Sequence, residues 1–341
     1  MKHYLERLIE RKSLMENEME EAIQDMFTKE ITDSEIAAFL TGLKSKGETA
    51  EEVTGLVKAI RKHSLSFTKK IPNVLDNCGT GGDGSKSFNI STTSAFVIAG
   101  AGITVAKHGN RSVSSKTGSA DVLEALGVSL DVPAESTEEI LEENGIAFLF
   151  APYVHPKLKQ IMKVRRELKI PTIFNLIGPL TNPVQLDYQM LGIYRRDLLD
   201  KFADVLSNLD RKRAIVINGA GYMDEASLAG ENEMVLVTEG TIKRMKLHPE
   251  EVNLPVYDNT TIKGGDAKEN AVILLEILKG KKGPKRDTVL LNAGIGIYTA
   301  GEADSILQGV EIAAESIDSG RALSKLEYLI NKSLKKTKAV G

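Results

Sequence analysis

The chain has 341 residues and nearly balanced charge, 44 Lys+Arg against 47 Asp+Glu for a net of −3. That length points to two domains with ample core, and the balance excludes both a whole-surface basic field for nucleic acid and an acidic, disordered chain. The single cysteine, Cys78, excludes an intrachain disulfide and a Cys-based zinc cluster and fits a reducing cytoplasm, and the apolar stretch from Ala95 to Ala106 is too short to span a bilayer.

The first 66 residues read as helices. Ile23, Met26 and Phe27, then Ile36, Phe39, Leu40 and Leu43, recur at three- and four-residue steps. Thr32 with Glu35 and Thr49 with Glu52 are capping-box patterns, and Gly47 between them is a helix stop. The segment carries no cluster of catalytic side chains, which predicts a packing or dimerisation module.

After Lys69-Lys70 strand-like and helical runs alternate: strand Val74–Asn77, helix Ser91–Ala101, strand Ile103–Ala106, helix Ala120–Leu126. Further strand-like runs are Ala147–Phe150, Met190–Tyr194, Ala214–Asn218, Val235–Val237 and Val289–Leu291, and Gly264–Leu278 and Glu302–Ile317 read as late covering helices. The pattern predicts an α/β class fold with a mostly parallel sheet flanked by helices. Lys279–Arg286 reads as a solvated loop and Lys332–Lys338 as a basic helix end.

Between Gly84 and Gly118 the chain has no Asp or Glu, while Lys86, Lys107, Arg111 and Lys116 supply +4, with His108 beside them and many Ser and Thr hydroxyls. This is the composition of an anion pocket, or of a buried sheet-and-turn segment that lacks acids. The window opens on Asp76-Asn77-Cys78-Gly79-Thr80-Gly81-Gly82-Asp83-Gly84. Gly79, Gly81 and Gly84 satisfy the dinucleotide fingerprint, but the acid it requires about twenty residues later is missing. Gly79 and Gly84 also have P-loop spacing, but Ser85 stands where the lysine should follow directly. What both motifs share remains: glycines that let backbone amides approach a phosphate, before a helix N-terminus. Asp83 suits a sugar hydroxyl or a metal ion, because a carboxylate repels phosphate.

Asp76–Asp83 with Phe88-Asn89-Ile90-Ser91-Thr92, and Lys107 through Ser115, resemble the anthranilate phosphoribosyltransferase family of tryptophan biosynthesis. Gly118-Ser119-Ala120-Asp121, Arg165-Arg166-Glu167-Leu168, Asn175 through Pro183 and Met223-Asp224-Glu225 agree in the same order. Asn77-Cys78 departs from the aliphatic residues more usual in the family before the glycine loop. The resemblance implies a small all-helical domain, residues 1–66 with an inserted segment near 165–188, on a larger α/β domain of residues 70–341. It implies a homodimer through the helical domain.

By that resemblance, phosphoribosyl pyrophosphate lies on Gly79, Gly82, Asp83, Ser87, Asn89, Ile90, Ser91, Thr92, Lys107, His108, Gly109, Asn110, Arg111, Ser112, Val113, Ser114, Ser115 and Ser119. Anthranilate lies on Gly79, Asn110 and Arg165, with Arg165 at its carboxylate. Ser91, Asp224 and Glu225 hold Mg²⁺, two ions per subunit.

The chemistry agrees with these residue types. Lys107 and Lys116 suit the charge that develops on departing pyrophosphate, Asp83 adds an electrostatic role, and hard carboxylate oxygens after a strand suit Mg²⁺. Arg165-Arg166 offers planar forks for a carboxylate, one of the pair being expected to do no more than pair with Glu167. His108 and His155 are polar contacts, and neither is needed as general base, since an aryl amine is already neutral. The implied enzyme is a pentosyltransferase working by dissociative displacement. Its rivals are a pyrimidine nucleoside phosphorylase-like enzyme, which uses phosphate and needs no magnesium, and a non-catalytic relative that binds nucleic acid.

Overall fold

The computed structural model describes residues 1–111 and 117–340. Helices α1 (Lys2–Ile9), α2 (Glu16–Thr28), α3 (Asp33–Lys46) and α4 (Ala50–Lys62) open the chain. Both capping boxes form. The Glu35 amide donates to Thr32 Oγ1 at 3.2 Å and the Thr32 amide donates back to Glu35 at 2.9 Å; Thr49 and Glu52 repeat the exchange at 3.2 and 2.8 Å. These contacts satisfy amides that a first helical turn leaves bare. Gly47 ends α3 at φ +86°, a backbone that favours glycine. Ile23, Met26, Ile36, Phe39, Leu40 and Leu43 are all buried.

The α/β part runs β1 (Val74–Asp76), α5 (Ile90–Gly100), β2 (Thr104–Gly109), α6 (Ser119–Ala125), α7 (Ala134–Asn144) and β3 (Ile146–Phe150). It continues with α8 (Ala151–Val154), α9 (Lys159–Leu168), β4 (Tyr188–Gly192), α10 (Leu199–Asn208), β5 (Arg213–Asn218), β6 (Asn232–Thr238) and β7 (Thr241–Leu247). Helices α11 (Ala267–Leu278), α12 (Pro284–Thr299), α13 (Ile306–Asp318) and α14 (Arg321–Val340) close the chain.

Among the described residues the strands form one seven-stranded sheet in the order β3-β2-β1-β4-β5-β6-β7. Strands β1 to β5 pair in parallel, and β6 and β7 complete the edge antiparallel. The interior strand β5 is buried on both faces. Ile215 and Ile217 turn to a core shared with α5 and α12, while Ala214 and Val216 turn to a second core shared with α2, α3, α4 and α10. Ile161, Val164, Phe174 and Leu180 join that second core.

Three expectations are corrected. Val289–Leu291 lies inside the sixteen-residue helix α12, which is apolar all round because it is almost wholly buried. Strand β7 has no counterpart in the sequence reading: Lys243, Arg244 and Lys246 line this exposed edge, and such charge discourages edge-to-edge pairing. The expected 279–286 loop ends early, since Arg286 is buried in α12 and bonds Asp318 at 2.8 Å.

From β1 the chain moves outward to β3 and then crosses back to place β4 on the other side of β1. The connections leaving β1 and β4 therefore diverge, which opens a crevice at the carboxyl ends of the parallel strands.

Candidate active site

The glycine loop occupies that crevice. Gly79 bridges Gly192 at the end of β4, and the Thr80 amide donates to Gly192 O at 2.9 Å. Asp224, in the loop after β5, packs on both glycines. A Cβ on Gly79 would stand 2.5 Å from Asp224 Oδ2 and 2.8 Å from its carbonyl oxygen, and a Cβ on Gly192 would overlap that carbonyl. Asp224 Oδ2 accepts from the Gly81 amide at 2.6 Å. Gly82 has φ +84°, so the loop turns through a left-handed backbone.

Glu225 reaches the start of α5, where its Oε1 accepts from the Ser91 amide at 3.1 Å. The N-cap residue of α5, Asn89, makes no side-chain cap; its Oδ1 is held by Asn270 Nδ2 at 2.8 Å and its Nδ2 donates to Thr117 O at 3.5 Å. Ile90 and Thr92 are buried, and Thr92 Oγ1 has no hydrogen-bond partner. Asp83 Oδ1 accepts from the Ser85 amide and hydroxyl, both at 3.0 Å, while its buried Oδ2 takes no hydrogen bond. Ser87 Oγ lies 3.3 Å from Ser85 Oγ.

Lys107, 2% exposed, enters from β2 beneath the loop and donates long bonds to Asn77 O at 3.5 Å and His108 O at 3.4 Å. Burial pushes the Glu225 carboxyl up to about 7, with Lys107 opposing the rise and Asp83 adding to it. Burial, then the charges of Asp83 and Glu225, hold Asp224 well above the usual carboxylate range. Asp76 accepts from Asn182 Nδ2 at 3.0 Å, and burial lifts it to about 6 against Lys107.

Raised acids of this kind are stabilising while protonated and become a burden when ionised. Their contribution is full below the ordinary values of 3.8 and 4.5, and is lost as pH rises through about 6 for Asp76 and about 7 for Glu225. In metal-free protein, Glu225→Gln is therefore expected to flatten the decline in Tm between about pH 5 and about pH 8. Parallel Tm–pH curves for the two proteins would contradict this.

The donor set fits a hard divalent cation. Asp83, Asp224 and Glu225 crowd one another, one buried carboxylate oxygen lacks a donor, and the oxygens are those that Mg²⁺ prefers. Among the described residues no three His, Cys, Asp or Glu side chains form a protein-only cage. One or two carboxylates completed by substrate phosphates is the usual arrangement for Mg²⁺.

Around this centre, His108 Nδ1 meets Gly178 O at 3.1 Å and its Nε2 meets His155 Nε2 at 3.3 Å, the rings edge to face. Burial holds His108 well below 6.5 and lowers His155 to about 4, so both are neutral, weak bases. Arg165, half-buried at the end of α9, stands over the Phe174 ring at 5.3 Å and donates to Asn175 Oδ1 at 3.2 Å. Burial lowers its pKa to about 10, and no carboxylate pairs with it among the described residues. Glu167 pairs with Lys163 at 4.0 Å, not with either arginine as expected.

Gly109 admits Ser119 against its backbone, and Ser119 Oγ donates to Asn110 O at 3.2 Å. Arg111 is turned aside, bonded to Asp121 at 2.9 Å and to Glu124 at 2.7 Å. Ser112, Val113, Ser114 and Ser115, together with Lys116, lie outside the described residues. The crevice thus gathers Gly79, Gly82, Asp83, Ser91, Thr92, Lys107, Asp224 and Glu225. Two supports escaped the sequence reading. Gly192 ends a strand and Asn270 follows Gly264-Gly265; a glycine at a strand end is the one signal available.

The sequence profile of the glycosyl transferase family, a/b domain, matches residues 71–323, and that of its helical bundle domain matches residues 2–64. The anthranilate phosphoribosyltransferases of Exiguobacterium sibiricum and Bacillus cereus are 60% and 55% identical to the chain, each over 100% of both sequences. The crystal structure of anthranilate phosphoribosyltransferase from Thermus thermophilus superposes with a TM-score of 0.92 at 40% identity, covering 97% of this chain and 99% of that one. The Saccharomyces cerevisiae enzyme in complex with phosphoribosyl pyrophosphate and Mg gives 0.90 at 28% identity, covering 98% and 97%.

Proposed function

The chain belongs to the anthranilate phosphoribosyltransferase family, and from that membership we infer how its own residues carry the reaction. It is a pentosyltransferase that moves the phosphoribosyl group of 5-phosphoribosyl 1-pyrophosphate to the anthranilate amine, releasing pyrophosphate, and it uses Mg²⁺. The observation that carries the placement of substrates is the buried Lys107 under the glycine loop, faced by carboxylates with an unmatched oxygen.

Phosphoribosyl pyrophosphate lies along Gly79 to Thr92, with Lys107 beneath it and His108, Gly109, Asn110 and Ser119 beside it. Asp83 accepts from a sugar hydroxyl. The start of α5 and the Lys107 ammonium stabilise charge on the leaving group. Ser91, Asp224 and Glu225 would hold Mg²⁺, two ions per subunit. Mg²⁺ held there would supply positive charge that stabilises the leaving pyrophosphate.

Anthranilate is held by Gly79, Asn110 and Arg165, whose unpaired guanidinium meets its carboxylate. The amine is neutral, so these contacts align its nitrogen with C1 and no base is required; the neutral His108–His155 pair supports that reading. Arg165→Ala is expected to raise the KM for anthranilate about thirtyfold while leaving that for phosphoribosyl pyrophosphate within about twofold. A rise confined to phosphoribosyl pyrophosphate would remove Arg165 from the anthranilate site.

The helical domain reads as residues 1–66 with the 165–188 segment, on an α/β domain of 70–341; Ile173, Phe174, Leu176, Ile177 and Leu180 pack with residues 1–66 in the second core, which also takes in α10 and one face of the sheet. A homodimer through the helical domain belongs to the same proposal, and the domain leaves Ile9 and Met15 exposed. The single unpaired Cys78 accords with a cytoplasmic location.

A further inference from the structure

A cavity of about 710 Å³ lies between α7, α14 and residues 128–133, beside strand β3. It shares no residue with the candidate active site. It opens to solvent, and its volume falls in the range of about 300–1,000 Å³ that small-molecule sites span. Val128, Val132, Ile140, Phe148 and Leu329 form one apolar wall, the remaining lining is mostly polar, and Glu143, Lys332 and Lys335 bring charge. Lys332 is shared with Glu143 at 3.2 Å, which also accepts the Tyr328 hydroxyl; Lys335 makes no ion pair among the described residues. Lys335, exposed at the rim, is therefore one cation without an ion pair beside the apolar wall.

Phe148 and Leu329 have a second role. They also bound a small void of about 10 Å³ whose other walls include Lys107 and Thr92. The back wall of the cavity is thus the packing behind two groups placed under phosphoribosyl pyrophosphate, and Thr92 Oγ1 is unpartnered there. We propose that this cavity binds a small organic anion with an aromatic-sized apolar body, and that its occupancy is felt at the phosphoribosyl pyrophosphate site through Phe148 and Leu329. The apolar body covers the Val128–Ile140–Leu329 wall and the anionic group meets Lys335. An occupied cavity fixes Phe148 and Leu329 against Lys107 and Thr92, which lowers the ordering needed when substrate binds. The coupling rests on the substrate placement proposed above; the binding site does not.

The probe is 8-anilino-1-naphthalenesulfonate, an aromatic anion whose fluorescence rises in apolar surroundings, titrated into full-length enzyme saturated with phosphoribosyl pyrophosphate and Mg²⁺. One probe is expected to bind per chain. Ser136→Trp, which fills the cavity from α7, should weaken binding about tenfold, and Lys335→Glu about fivefold, both with wild-type turnover in the absence of probe. In the wild type, saturating probe should lower the KM for phosphoribosyl pyrophosphate about fivefold, and Ser136→Trp should abolish that change. Undiminished binding in both variants, or displacement of the probe by phosphoribosyl pyrophosphate and Mg²⁺, overturns the site; an unmoved KM overturns the coupling. Absence of turnover without probe would instead count against the proposed substrate placement.

Discussion

Glu225→Ala is expected to lower turnover about a hundredfold and to raise the Mg²⁺ concentration for half-maximal rate. Glu225 is built to carry negative charge only when something answers it. Burial and neighbouring Asp83 push its carboxyl up to about 7, against Lys107 and the hydrogen bonding to Ser91. A divalent cation brought by the pyrophosphate reverses that balance and makes the ionised form the stable one. Removing the side chain also frees the Ser91 amide, so Glu225→Gln is the companion variant: it keeps an acceptor for that amide and removes only the charge. Both variants should need more Mg²⁺ in a titration of initial rate. Mg²⁺ curves that overlay the wild type would remove Glu225 from the metal site.

The second large effect comes from a methyl group. Gly79→Ala is expected to cut kcat about a hundredfold, since it places a carbon 2.5 Å from Asp224 Oδ2 and 2.8 Å from Asp224 O. Neither atom belongs to a flexible chain end. The carbonyl is backbone already pressed against Gly192, and Oδ2 is bound to the Gly81 amide. The acidic loop must shift as a unit. Gly81→Ala is the control: its φ of +69° makes alanine strained, at roughly 1 kcal/mol, but nothing lies within 4 Å of the added Cβ. It should lower Tm and leave kcat within about threefold. Equal losses of kcat in the two variants would show that strain in the loop, not displacement of Asp224, sets the rate.

The two variants also mark where the sequence was legible. Local signals survived intact: Thr32 with Glu35 and Thr49 with Glu52 formed their capping boxes because every partner lies within one turn. The alternation from Val74 to Leu126 was readable for the same reason, as were the strand Ala214–Asn218 and the acid-free window. Val289–Leu291 misled because a short apolar run has no periodicity that separates a buried helix from a strand. The crowding of Asp224 on Gly79 and Gly192 brings the glycine loop to segments over a hundred residues further along, which no local pattern encodes. Arg111 was read as a pocket cation from its position in the window. Its partners Asp121 and Glu124 lie just beyond the window's end, one or two turns along α6. The family resemblance supplied the pairing of Asp224 and Glu225 with Mg²⁺; adjacent acids after a strand are otherwise equally suited to opening a helix.

Anthranilate fluorescence, followed with phosphoribosyl pyrophosphate and Mg²⁺ added separately and together, tests the central claim most directly. Fluorescence should fall only when both are present, with one pyrophosphate released per anthranilate consumed. No loss with both present would contradict the account, as would an equal loss with Mg²⁺ withheld and chelated.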